Sequence, residues 1–315
     1  MHSPQPSAIK QIAAALLLLV AGWALAAPPA AQPVRWWDAS LPDLSAAAER
    51  GDAAAQLELG ERYRYGRGVK ADNAQAWAWH RKAAEQGLAA AQISLAQMYE
   101  LGKPKNEAQS FFWFRKAAEQ GQAQAQYRVA LMYAIGNGVA KDAVQAAAWG
   151  RKAAGQGDAD AQLFMANRYD FGDGVPQDNA QAVAWYRKAA ERGNSAAQDN
   201  LGDRYARGEG VEQSDAQAAD WYRQAAAQDD DDAQNSLGLM YKNGRGVAQD
   251  DAQAAEWFRK AAEQGNADAQ FNLGLLYEAG RGVAPSKAQA LVWYRKAAAQ
   301  GHADAQARLR RGHRP

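Results

Sequence analysis

Few residues in this 315-residue chain have the types and spacing that chemistry requires. Its histidines are His2, His80, His302 and His313, and none falls at a metal-ligand spacing or beside a nucleophile. Asp170-Phe171-Gly172 matches a kinase tripeptide, but no phosphate-binding glycine loop accompanies it. Ser7-Ala8-Ile9-Lys10 has the serine–lysine spacing of penicillin-interacting enzymes, with no Lys-Thr-Gly further on. The four aspartates 229–232 lack the alternating ligands and the glycine of a calcium loop. They read as the solvated start of a helix, where acids meet the positive end of the backbone dipole. These residues point to no enzyme, no metal and no cofactor. Nucleic acid is also excluded as a partner: 36 basic residues balance 35 acidic ones, without the cationic excess that phosphate binding needs.

What the chain does have is a period. Gly51, Gly87, Gly121, Gly157, Gly193, Asp229, Gly265 and Gly301 are separated by 36, 34, 36, 36, 36, 36 and 36 residues. Seven units result (51–86, 87–120, 121–156, 157–192, 193–228, 229–264 and 265–300) and a half-repeat, 301–315, that caps the C-terminus. Each unit predicts two helices. Ala55, Leu59 and Tyr63 share one face of the first, which Gly66 ends by entering the left-handed region. The second opens at a cap residue followed three places on by Gln: Asp72–Gln75, Asn106–Gln109, Asp142–Gln145, Asp178–Gln181, Ser214–Gln217, Asp250–Gln253 and Ser286–Gln289 fit the capping-box pattern. Asp229 replaces the leading glycine once, and Asp tolerates left-handed backbone better than most residues.

The periodic tryptophans Trp79, Trp113, Trp149, Trp185, Trp221, Trp257 and Trp293 are assigned to the core rather than to ligand stacking. Truncating Trp185 is then expected to cost roughly 3–5 kcal/mol. A small residue recurs at Gly60, Ala96, Ala130, Ala166, Gly202, Gly238 and Gly274, where a larger one would hold helices apart; its counterpart in the last half-repeat is Arg310, a polar end. The constant glutamines (Gln56, Gln92, Gln126, Gln162, Gln198, Gln234, Gln270, Gln306) are expected to hydrogen-bond between units. The Arg-Lys pairs from Arg81-Lys82 to Arg295-Lys296 read as a solvated outer face, weakly paired to acids four residues on.

These motifs, Ala-x-Ala-Gln-x-x-Leu-Gly-x-x-Tyr-x-x-Gly-x-Gly-Val and then Trp-Tyr-Arg-Lys-Ala-Ala, resemble the Sel-one-like repeat, a relative of the tetratricopeptide repeat, over about residues 44–312. The resemblance implies an all-α fold, a right-handed superhelical solenoid of seven 34–36-residue αα-hairpins with terminal caps. It also implies an adaptor or scaffold, in bacteria often periplasmic or secreted and tied to envelope maintenance or exopolysaccharide control. The second unit departs from the pattern, with Gly102-Lys103-Pro104 in place of the longer glycine loop.

Before the repeats, residues 1–26 read as a secretory signal peptide. Lys10 lies at the charged end, Gln11 to Leu25 form the apolar stretch, and cleavage follows Ala26. That stretch is short of the roughly 20 residues that span a bilayer. Residues 27–40 are assigned to a linker and 41–50 to a capping helix; there is no cysteine, so packing alone must hold the fold. The expected location is periplasmic or secreted.

Function is expected where the units differ. Counting from the leading glycine, places 8, 11 and 15 share a face of the first helix and vary freely. Arg128, Leu131, Ile135, Phe164, Asn167 and Phe171 would line a concave groove, with an apolar patch for a partner protein or peptide. The alternative partner is a cell-wall glycan, with Trp36, Trp37 and Tyr65 as stacking surfaces.

Overall fold

The computed structural model describes residues 35–102 and 105–312. The leader, its cleavage point, His2, His313 and Lys103-Pro104 lie outside the described residues. Among those described, sixteen α-helices and one short 3-10 turn, Trp36–Asp38, account for the regular structure, and there is no strand. Helix α1 (Leu41–Glu49) precedes seven antiparallel pairs: α2 (Ala53–Tyr65) with α3 (Asn73–Glu85), α4 (Ala89–Leu101) with α5 (Glu107–Glu119), α6 (Ala123–Ile135) with α7 (Ala143–Gly155), α8 (Ala159–Phe171) with α9 (Asn179–Glu191), α10 (Ser195–Arg207) with α11 (Asp215–Ala226), α12 (Asp231–Asn243) with α13 (Asp251–Gln264), and α14 (Ala267–Ala279) with α15 (Lys287–Ala299). Helix α16 (Ala303–Gly312) closes the stack, and Arg310 on it is exposed. Each helix packs against the one before and the one after, so the molecule is a solenoid of stacked hairpins.

Within a hairpin, spacing is set by a ring against a missing side chain. A Cβ on Gly202 would lie 2.7 Å from the ring of Tyr222, and one on Gly238 2.7 Å from that of Phe258. Gly60 faces His80 and Gly274 faces Tyr294 in the same way. The residue pressed on the glycine therefore follows the periodic tryptophan. Phe114, Tyr186 and Phe258 are fully buried, while Trp113, Trp185 and Trp257 are half-buried against the core. The tryptophans divide between the core and its rim: Trp149 and Trp293 are buried in it, and the other five pack against it half-buried. Five of the seven carry a lysine ammonium over the ring: Lys82, Lys152, Lys188, Lys260 and Lys296 lie 3.9–4.1 Å from the ring centroids. The neighbouring arginines also reach beyond solvent. Arg81, Arg151 and Arg187 donate to the hydroxyls of Tyr99, Tyr169 and Tyr205 in the next unit.

All seven second helices are capped as the spacing predicts. The backbone N–H of the Gln donates to the cap side chain at 2.9–3.3 Å. The reciprocal half of the capping box is replaced. The cap residue's own N–H donates to the carbonyl of the first helix's tyrosine, as from Asp72 to Tyr63 and from Ser286 to Tyr277, which closes the loop. Asp229 adopts φ of 63°, the one non-glycine in the left-handed region among the described residues.

Loops also lock onto the preceding unit. A Cβ on Gly246 would stand 2.1 Å from the Asp215 carbonyl oxygen, so only glycine fits there. The second unit is the one with the shorter loop. Its Gly102 is extended at φ −74°, and Arg64, Asn73, Trp77, Met98, Leu101 and Gly102 line an open recess of about 430 Å³. At the N-terminus, part of the segment assigned to a linker is docked. Arg62 donates to the carbonyls of Trp36, Trp37 and Ala39, and Trp36 packs beside Leu44 and Leu59.

These depths give an ordered pair of substitutions. Tyr186→Ala should lower unfolding stability by about 3–5 kcal/mol. Trp185→Ala should cost less, about 1–2 kcal/mol, as part-burial and one cation–π contact imply. Denaturant unfolding of both variants checks the order, and a larger loss at Trp185 would reverse the assignment of the core layer.

Candidate binding surface

The six residues assigned to a groove do not form one apolar patch. Phe164 is 8% exposed and belongs to the core. The reason lies in the preceding unit. Where the other units have an aromatic ring or His80, the third has Gly150, and the Phe164 ring fills the space. A Cβ on Gly150 would be 2.8 Å from that ring. Tyr127 meets Phe164 edge-on at 5.9 Å, and the Arg168 guanidinium lies 4.4 Å from its centroid. The signal was present in Trp149-Gly150, which breaks the tryptophan–aromatic pattern.

Leu131 is half-buried against the same core. Asn167 accepts a hydrogen bond from the Tyr186 hydroxyl at 2.6 Å, and Arg128 is paired with Glu100. Asp170 of the kinase-like tripeptide is buried. It accepts from Arg204 at 2.6 Å and from Tyr186 at 3.2 Å, so it works within the stack. These residues at places 8 and 11 are therefore engaged within the solenoid, Arg128 and Phe164 across a unit boundary and Asn167 within its own hairpin.

Ile135 and Phe171 behave differently. They are 71% and 77% exposed, and Tyr65 and Leu101 at the same place in the first two units are 62% and 76% exposed. Four consecutive first helices thus end in a large apolar side chain turned to solvent. In the last three units Arg207, Asn243 and Ala279 take that place. Grouping place 15 with places 8 and 11 hid this row, because the three share a helix face but not a depth.

Two carboxylates on first helices are shifted in opposite directions by their surroundings. Glu61 accepts from His80 Nε2 at 2.9 Å while His80 Nδ1 meets the Ala76 carbonyl at 2.8 Å, and the His80 hydrogen bond holds the Glu61 carboxyl below its usual range. Asp199 lies in an apolar place on α10, and its Oδ1 is buried with no partner. Burial, then the charges of Asp230, Asp203, Asp232 and Asp231, push its carboxyl up to about 7. Among the described residues, no three His, Asp or Glu are gathered as a metal site.

Two tests follow. Gly150→Tyr alone overpacks and Phe164→Ser alone leaves a hole, each destabilising by about 1–5 kcal/mol. The double variant restores the pattern of the neighbouring units and should recover most of the loss; additive costs would show that the two sites are independent. For Asp199 the folded state holds the proton more tightly than the unfolded chain. Wild-type stability should therefore decline as pH rises from about 4 to about 7 and change little beyond on this account. Asp199→Asn removes that decline, so its advantage in unfolding midpoint should grow across this window; a constant difference would place the carboxylate in water.

Comparison with known proteins follows the repeat. The Sel1 repeat family matches residues 53–88, 89–122, 123–158, 159–194, 195–230, 231–266 and 267–302. Among solved structures, the chain is similar to a protective antigen present in uropathogenic Escherichia coli strains displaying an SLR fold. The identity is 45% and the TM-score 0.81, over 85% of this chain and 58% of that one. A Sel1 repeat protein from Oxalobacter formigenes is 39% identical with a TM-score of 0.72, over 85% of this chain and 78% of the other. The chain thus spans less than two thirds of the Escherichia coli protein. No curated protein matches. Seven matched units and the solenoid they build make this chain a member of the Sel1 repeat family.

Proposed function

We propose that the protein is a non-catalytic scaffold of the periplasm or cell exterior that docks a partner protein on the exposed row Tyr65, Leu101, Ile135 and Phe171. Sel1 repeats are generally protein-interaction modules, and the observation that carries the reading to residues is this row. Exposed apolar side chains scattered singly are ordinary; four in register on successive units make a strip with a direction. The recess beside Gly102 adjoins it, with Leu101, Trp77 and Met98 in its wall. An apolar side chain of a partner segment lying along the strip would enter there. The expected secretion rests on the leader, residues 1–26. Among the described residues no helix is long and apolar enough to cross a membrane. An envelope or exopolysaccharide role is the setting this reading favours.

The test is a crosslinking pull-down from periplasm with wild type beside an Ile135→Glu, Phe171→Glu double variant. Both side chains are exposed, so the variant should keep wild-type helicity and unfolding midpoint. A protein recovered by wild type alone supports the row as the docking surface. Equal recovery by both, or no protein recovered by either, overturns it.

A further inference from the structure

One rung of a repeated hydrogen-bond ladder is missing. In six units the Gln at place 6 does two things. Its Nε2 donates to an alanine carbonyl of the helix before, and its Oε1 accepts from the Gln that ends its own unit. The second bonds run from Gln86 to Gln56, Gln120 to Gln92, Gln156 to Gln126, Gln228 to Gln198, Gln264 to Gln234 and Gln300 to Gln270, at 2.7–3.0 Å. The fourth unit ends in Arg192. Gln162 still donates to Ala154 at 3.2 Å, but its Oε1, on a side chain 3% exposed, has no donor.

The Gln162 side chain that carries this covered oxygen lines a cleft of about 470 Å³ whose wall includes Gly155, Trp185, Lys188, Glu191 and Arg192. Two departures from the repeat meet here. Gly155 stands where the first, second, fourth and sixth units have Glu85, Glu119, Glu191 and Glu263, and Arg192 stands where every other unit has Gln. Between the first two units the corresponding charges are Glu85, Lys116 and Glu119, a balance of −1; here they are Lys188, Glu191 and Arg192, a balance of +1. The Arg192 guanidinium lies over Gly157 and has no ion-pair partner among the described residues. Lys188 rests on the Trp185 ring at 4.0 Å and pairs with no acid either.

We propose that this cleft binds a small polyhydroxy carboxylate of the sugar-acid kind, its carboxylate held by Arg192 and Lys188 and one hydroxyl donating to Gln162 Oε1. The chemistry follows from what each group lacks. A guanidinium fork matches a carboxylate with two parallel N–H bonds. A buried amide oxygen without a donor carries a desolvation cost that a hydroxyl relieves. The Trp185 ring beside them gives the carbon skeleton an apolar wall. Removal of the acid at Gly155 takes away the charge that would repel the ligand and leaves room for it.

Calorimetric titration of the full chain distinguishes the requirements. D-glucuronate should bind. D-glucose, with the ring and hydroxyls but no carboxylate, and cyclohexanecarboxylate, with the ring and charge but no hydroxyl, should each bind roughly tenfold or more weakly. Arg192→Gln returns the residue found in every other unit and can remake the missing rung. It should abolish D-glucuronate binding while raising the unfolding midpoint, which separates loss of the site from loss of the fold. Gly155→Glu, also the residue of other units, should weaken binding with the fold intact. No heat with D-glucuronate at about 20 mM, equal binding of D-glucose, or full binding by Arg192→Gln would each overturn the assignment.

Discussion

In every hairpin but the third, a ring on the second helix can approach the first only as closely as the residue beneath it allows. With glycine there, the edge of Tyr222 or Phe258 sits where a Cβ would be, and the two helices meet backbone to ring. That contact sets the hairpin's separation, and the remaining layers inherit it. Leu201 and Leu237 are fully buried beside it, and the alanines of both helices close the gaps with little side chain to order. The interior is correspondingly poor in large aliphatics. Its stability rests on many close contacts among small residues, so a single misplaced methyl group is felt.

Stacking of one hairpin on the next uses a different chemistry. Side-chain amides bridge backbone carbonyls, arginines reach tyrosine hydroxyls, and loop glycines abut the carbonyls of the previous unit. These bonds are directional, so they fix the rotation from unit to unit where alanine surfaces alone would allow sliding. They are also made afresh at each junction, which is why one junction can depart from the rule without disturbing its neighbours. The shortened second loop shows this. An open recess lies beside its Gly102, yet Gln92 still donates to Ala84.

Much of this was legible in the sequence because the determinants are local and repeated. Cap residue, glutamine three on, terminating glycine and small residue on one face each act within one or two turns, and seven copies separate rule from accident. Depth was less legible. Trp185 and Tyr186 are adjacent, and the period alone does not say which ring faces the glycine and which lies under a lysine. Phe164 misled for a longer-range reason. Its burial is decided by Gly150, fourteen places earlier in the sequence and on another helix, so its own unit reads as offering a free aromatic. The exposed row at Tyr65, Leu101, Ile135 and Phe171 was half seen, because helical geometry groups side chains by direction while accessibility at a helix end depends on where the next loop runs.

In a chain of near-identical units, departures from the pattern divide by whether another residue answers them. Gly150 removes a ring and Phe164 supplies one, so the pair is closed and says nothing about a partner. Gln224 stands where other units place a lysine over tryptophan, and the only cost is one exposed cation–π contact. Arg192 is of another kind. It takes a donor away from a buried oxygen and adds a charge that forms no ion pair among the described residues, and Gly155 removes the acid that stands at this place in four of the other units. The exposed row is unanswered in the same sense, since nothing among the described residues covers it. A buried acceptor without a donor and a strip of apolar side chains in water both carry a free-energy cost in the isolated molecule. Both costs fall when something binds, and that makes these two places, rather than the periodic tryptophans, the parts of the surface that are incomplete alone.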